Sequence, residues 1–150
     1  MEKSPETETQ SWKIMQVGVV VRDVEKTIQQ LSSLGIGPFE PKTLPPERKE
    51  WFRGKPMYAE FNIHAARIGD VELELIQPVS GESPHKEFLE TKGEGIQHVM
   101  FAVDDFDDTV ARLTEKGAGE LLRAIFPGGR GVAYLDLNAA NFVIELVQKR

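Results

Sequence analysis

Four polar side chains stand inside apolar runs of this 150-residue chain: Gln16 in "KIMQVGVVV", Glu74 in "VELELIQP", His98 in "GIQHVMFAV" and Glu145 in "NFVIELVQ". A glutamate flanked by Leu, Ile and Val is costly to bury unless it is paired or bound to a cation. One imidazole, two carboxylates and an amide oxygen can hold a divalent ion and leave positions for water or substrate. Zn²⁺, Ni²⁺, Co²⁺ and Mn²⁺ all suit such an oxygen-rich set, and ligand type alone does not choose among them. The other reading is a buried hydrogen-bond network among the same four groups.

A repeat links the four. "QVGVVVRDVEKTIQQLSSLGIG" from Gln16 aligns without a gap to "HVMFAVDDFDDTVARLTEKGAG" from His98, at an offset of 98 − 16 = 82. Val21 meets Val103, Asp23 meets Asp105, Leu31 meets Leu113 and Gly35 meets Gly117. "ELIQ" from Glu74 matches "ELVQ" from Glu145 at the shorter offset of 145 − 74 = 71, so the intervening loops differ in length. Two copies of one supersecondary unit follow. A pseudo-two-fold axis would bring the first and last strands of both units together, and the four polar side chains with them.

The elements of each unit can be read directly. The apolar, β-branched stretches around Gln16 and His98 are strands. Asp23 and Asp105 then cap helices, whose apolar faces are Val24, Ile28, Leu31 and Phe106, Val110, Leu113. Gly35 and Gly117 provide the left-handed exits. "MYAEFNIHAARI" and "VELELIQP" form a hairpin, as do "RGVAYLDL" and "NFVIELVQ". Each unit reads βαβββ. A short helix joins them over 83–92, with Ser83 as cap and Pro84 in its first turn. The expected fold is α+β: one domain over 12–150, with modules at about 12–79 and 95–148, behind a disordered tail over 1–11.

Composition narrows the function. There are no cysteines, which removes disulfides, thiolate metal sites and a cysteine nucleophile and fits a cytoplasmic protein. A formal net charge of −6 argues against nucleic acid and anionic membranes as partners. The apolar runs are too short to span a bilayer, and the start lacks the hydrophobic core of a secretory signal. His64 can face the site or turn from it, depending on register. His85, at a helix start, reads as a surface residue. Glu72 shares the face of Glu74 and reads as a rim residue.

The segments "VGVVVRDVEKTIQQL", "VELELIQP", "GEGIQHVMFAVDD" and "FVIELVQ" resemble the vicinal oxygen chelate superfamily. That group includes glyoxalase I, methylmalonyl-CoA epimerase, extradiol dioxygenases and the fosfomycin and bleomycin resistance proteins. The resemblance spans nearly everything from Ile14 to Gln148. It implies paired βαβββ modules forming a cup around one divalent metal, with Gln16, Glu74, His98 and Glu145 as ligands. The layout is most similar to methylmalonyl-CoA epimerase. Two departures stand out: Gln16 where the epimerases usually have His, and Gln97 where they tend to have a histidine. The Gln-Glu-His-Glu set is instead like some glyoxalase I enzymes.

The resemblance implies an enzyme that abstracts a proton beside the carbonyl of an acyl-CoA thioester. Glu145 would be ligand and base, and Glu74 or Glu60 the second base. Arg48, Arg53 and Lys55, in a long polar lid "KTLPPERKEWFRGKPM", would meet the CoA phosphates, with Trp51 or Phe52 over the base. Gly129 and Arg130 of "PGGRG" would lie close to substrate, Arg130 as an anion contact. The alternatives are a glyoxalase-like lyase acting on a hemithioacetal and a non-catalytic small-molecule binding protein. The resemblance also implies a homodimer.

Overall fold

The computed structural model describes residues 8–150. Apolar residues at every second position drive β1 (Lys13–Val20), which buries Gln16, Gly18 and Val20. Asp23 then accepts from the Lys26 N–H at 3.0 Å and starts α1 (Val24–Ser33). Five strands follow: β2 (Glu40–Lys42), β3 (Lys49–Phe52), β4 (Lys55–Pro56), β5 (Glu60–Ile68) and β6 (Val71–Ser80). The linking helix α2 (Pro84–Lys92) is capped by Ser83 and ends at Gly93. The second module repeats the pattern: β7 (Gly95–Val103), α3 (Phe106–Glu115) capped by Asp105, β8 (Gly119–Ile125), β9 (Gly131–Asp136) and β10 (Val143–Gln148).

All ten strands form one sheet in the order β2-β5-β6-β1-β7-β10-β9-β8-β3-β4. The antiparallel pair β1–β7 joins the modules, with β6 parallel to β1 on one side and β10 parallel to β7 on the other. The four innermost strands are therefore the first and last of each unit, as the repeat requires. The expected α+β architecture is observed. On one face, Val24 of α1 packs with Val21 and Leu75, and Phe106 and Val110 of α3 pack with Leu135, Ile144 and Leu146. Another cluster, including Leu122, Ala124, Val132 and Tyr134, is built without residues of α1 or α3 and lines a cup.

Two expectations change. The tail over 1–11 is ordered from residue 8: Glu8 pairs with Arg112 of α3, Thr9–Ser11 form a 3-10 turn, and the Ser11 hydroxyl donates to Asp104 at 2.7 Å. Residues 1–7 lie outside the described residues. The polar stretch expected as a free lid contains the β3–β4 hairpin. β3 adds to β8 of the other module, with Trp51 opposite Arg123 and Phe52 opposite Leu122. Backbone pairing to a distant edge strand turns that loop into a clasp between modules. No helix among the described residues is long and apolar enough to cross a membrane.

Candidate metal centre

The cup is a cavity of about 540 Å³ between the two halves of the sheet. Gln16, Glu74 and Glu145 line it, from β1, β6 and β10. His98 of β7 does not itself line the cup; 1% exposed, it lies beside Gln16 and Glu145. The imidazole Nε2 is 3.1 Å from Gln16 Oε1 and 3.1 Å from Glu145 Oε1. The Gln16 amide nitrogen donates to Glu74 Oε2 at 3.0 Å. The sequence-expected quartet is thus brought together, from four adjacent strands.

These residues fit a divalent ion. Ligands about 2.0–2.2 Å from a metal and at right angles stand about 3 Å from one another, and the Nε2–Oε1 separations have that size. The backbone leaves room for the imidazole: a Cβ on Gly18 would lie 2.1 Å from His98 Cε1 and 2.4 Å from Nε2. Gln97 Oε1 stands 3.0 Å from His98 Nδ1, a partner that orients the ring with Nε2 toward Gln16 and Glu145. Among the described residues no three His, Asp or Glu side chains form a metal-holding group by themselves. The Gln16 amide is what joins the imidazole to Glu74.

A second layer, absent from the sequence reading, surrounds Gln16 and Glu74. Lys42 Nζ of β2 donates at 2.7 Å to both Glu72 Oε1 and Glu74 Oε2. The Gln16 amide nitrogen also donates to Glu72, at 2.7 Å. This fixes the amide with its oxygen toward His98. Burial and the Glu145 charge raise the Glu74 pKa although Lys42 opposes them. Glu72 is half-buried, which alone would raise it, yet its bonds from Lys42 and Gln16 hold it below the usual range. Burial works against the Lys42 ammonium too, and the two glutamates outweigh it and raise its pKa. The Lys42 and Glu74 shifts differ in what they favour. Lys42 offsets one of the three carboxylates Glu72, Glu74 and Glu145, a charge balance that suits a divalent ion.

His85 is the clearest correction. Expected at the surface, it is 5% exposed and lines the cup. Its Nε2 is 3.2 Å from the Tyr134 hydroxyl, and its ring packs edge-on to Phe61. Burial, with a smaller contribution from His98, lowers its pKa to about 3, so it is neutral. Its position with Phe88 and Leu89 on one helical face was the signal available in the sequence. Tyr134, opposite Glu145 in the β9–β10 ladder, has its ring centroid 4.7 Å from that of His98. Burial and then Glu145 push its pKa well above 10.

The remaining candidates separate. His64 turns from the cup, 3.7 Å from Glu25 of α1. Glu72, expected at the rim, is bonded to Lys42 and Gln16 and does not line the cup. Glu60 is exposed at the start of β5 and lines a neighbouring pocket rather than the cup, so its strand register removes it from the place of a second base. Arg53 is committed to a two-pronged pair with Glu87 of α2 at 2.6 and 2.8 Å. Lys55 is exposed on β4, away from the cup. Arg48 is spent on Glu50 and on the Pro45 and Ala59 carbonyls. Arg130 lines the cup; Gly129 lines an adjoining groove.

Residues 15–135 match the model of the Glyoxalase/Bleomycin resistance protein/Dioxygenase superfamily. A 94-residue stretch, 59% of this chain, is 30% identical to the uncharacterized protein YqjC of Bacillus subtilis (strain 168) and spans 66% of that protein's length. Hypothetical protein BH1468 from Bacillus halodurans C-125 superposes with a TM-score of 0.69 at 24% identity, covering 93% of this chain and 96% of that one. Methylmalonyl-CoA epimerase from Mycobacterium tuberculosis gives 0.63 at 20% identity, over 91% and 87%. A Streptomyces coelicolor methylmalonyl-CoA epimerase variant in complex with 2-nitronate-propionyl-CoA gives 0.62 at 20%, over 91% and 96%. At these identities the solved structures share the fold.

Proposed function

Because the chain belongs to the Glyoxalase/Bleomycin resistance protein/Dioxygenase superfamily, we propose that it is a divalent-metal-dependent isomerase moving a proton on the carbon beside an acyl-CoA thioester carbonyl. The observation that carries this reading is the convergence of His98 Nε2 with Gln16 Oε1 and Glu145 Oε1, each 3.1 Å away, the latter two lining the cup. A divalent ion there would stabilise negative charge building on a carbonyl oxygen as the neighbouring C–H bond ionises. Every other part is performed by the chain.

Glu145 is the proton acceptor in this reading. Tyr134, opposite Glu145 in the β9–β10 ladder, lines the cup beside that carboxylate. Glu74 takes both of its hydrogen bonds, from Lys42 and Gln16, on Oε2. That leaves Oε1 toward the ion, or toward a proton on the other face of the substrate. Met100, Leu122, Ala124, Val132 and Val147 give the cup an apolar wall that excludes water from the reacting carbon.

Metal content per chain, measured by mass spectrometry after stripping and reloading, tests the site. About one ion per chain, lost in Glu145→Ala, is expected. No stoichiometric metal under any loading would overturn the reading. Solvent-deuterium incorporation beside the carbonyl of an acyl-CoA then tests the reaction. A second reading, a lyase acting on a hemithioacetal, is favoured by Gln16 standing in a ligand position. It requires lactoylglutathione to form from methylglyoxal and glutathione.

A further inference from the structure

The cup continues into a second groove of about 580 Å³, and Arg130 and Arg150 line both. The groove runs over the glycine turn after β8. Gly128 and Gly129 adopt φ of +90° and +84°, and nothing stands within 4 Å of where their Cβ atoms would be, so a ligand can approach the backbone. Arg123 adds a third guanidinium, paired with Glu120. Neither Arg130 nor Arg150 forms an ion pair with the described residues. Arg48, Arg53 and Arg112, by contrast, are each committed to a carboxylate. The groove is lined by four cationic side chains, Arg123, Arg130, Lys149 and Arg150, against one carboxylate, Asp107, on a chain of net charge −6.

We propose that this groove binds the phosphate-bearing tail of the thioester whose acyl end enters the cup, with Arg130 and Arg150 as its phosphate contacts. The inference rests on the acyl-thioester reading above and deepens it. It moves anion recognition from the tip of the β3–β4 hairpin, where Arg53 is already neutralised by Glu87, to the turn at the other end of β8. The other neighbouring pocket is less suited. Its cations, Lys42 and Arg48, are both bonded to glutamates, and Glu60 adds negative charge.

The test is calorimetric titration of the whole protein with adenosine 3′,5′-bisphosphate, which carries the phosphates without the thioester. Wild type should bind it with or without metal. The Arg130→Ala/Arg150→Ala protein should bind at least roughly tenfold more weakly, the loss expected for removing charge-assisted phosphate contacts. The Arg53→Ala/Lys55→Ala protein should bind like wild type. No binding by wild type, or loss only in the Arg53/Lys55 pair, overturns the proposal. Equal affinity for pyrophosphate also overturns it, by marking a free-phosphate site. Deuterium exchange into an N-acetylcysteamine thioester, which lacks phosphates, separates the two claims. Exchange without bisphosphate binding sinks the groove alone; bisphosphate binding without exchange into any thioester sinks the isomerase reading alone.

Discussion

The two modules contribute polar side chains from matched strand positions and support them differently. In the first, Gln16 and Glu74 are held by charge: an ammonium and two carboxylates, with the Lys42 side chain 36% exposed. In the second, His98 and Glu145 are held by packing, against the buried rings of Tyr134 and His85 and the buried Gln97 amide. Repeat mates show the same divergence. The position of Gly18 in the first module is taken by Met100 in the second (18 + 82 = 100). Only one of the paired positions can carry a side chain, because the imidazole of His98 occupies the space above Gly18. The two halves keep the same strand positions for their polar side chains, and each immobilises them in its own way.

The sharpest way to break this comparison is Gly18→Ala. A methyl group 2.1 Å from His98 Cε1 forces the ring or the strand to move. Overpacking of this kind should cost about 3 kcal/mol in chemical denaturation and abolish stoichiometric metal binding. Met100→Ala should cost about 1–2 kcal/mol and keep the metal, since Met100 is only partly buried. Equal effects would show that the halves are interchangeable at this position.

The buried ring of the second module gives a pH signature. Folded His85 has its pKa lowered to about 3, against 6.5 for the free side chain. Between those values the unfolded chain binds the extra proton. Stability supplied by the neutral ring is therefore fully present above about pH 6.5 and is lost as pH falls toward 3. The slope is at most about 1.4 kcal/mol per pH unit for this one group. Urea melts at pH 7, 6 and 5 should show it, and His85→Phe should flatten it. A His85→Phe protein with unchanged pH dependence would assign the slope to other groups.

Metal affinity compares the two supports directly. Glu72→Gln removes the charge that orients the Gln16 amide; Tyr134→Phe removes the hydroxyl beside Glu145. Each should weaken binding by about tenfold, the usual cost of losing a partner that orients a ligand. In 1 M salt, where screening acts over about 3 Å, the Glu72→Gln deficit should shrink and the Tyr134→Phe deficit should persist. The smallest effect is expected from Arg53→Ala. Its pair with Glu87 is more than half exposed on the arginine side and contributes no more than about 1 kcal/mol to a thermal melt.

The readable part of this protein was what repeats. Alternation placed Gln16, Glu74, His98 and Glu145 on strands, the capping aspartates placed α1 and α3, and the two offsets paired first and last strands. The topology then put those four strands side by side. His85 was half-legible: its helix was read correctly and its face was not. Lys42 gave no signal, because a lysine before "TLPPERKEW" looks the same in solvent as on a short edge strand. The β3–β4 hairpin was read as a lid, since its docking partner, β8, lies some seventy residues further along the chain.

Sequence alone determined the local and the periodic: strand and helix spacing, caps, and four polar side chains at matched positions of the repeat. Those features depend on backbone conformation and on the burial cost of polar groups within short windows. Only the tertiary structure decided which cations were already neutralised, which way the Gln16 amide faced, and which ring lay over Gly18. Each of those depends on contacts between residues far apart in the chain, and a charge or a ring has no fixed role until packing supplies its partner.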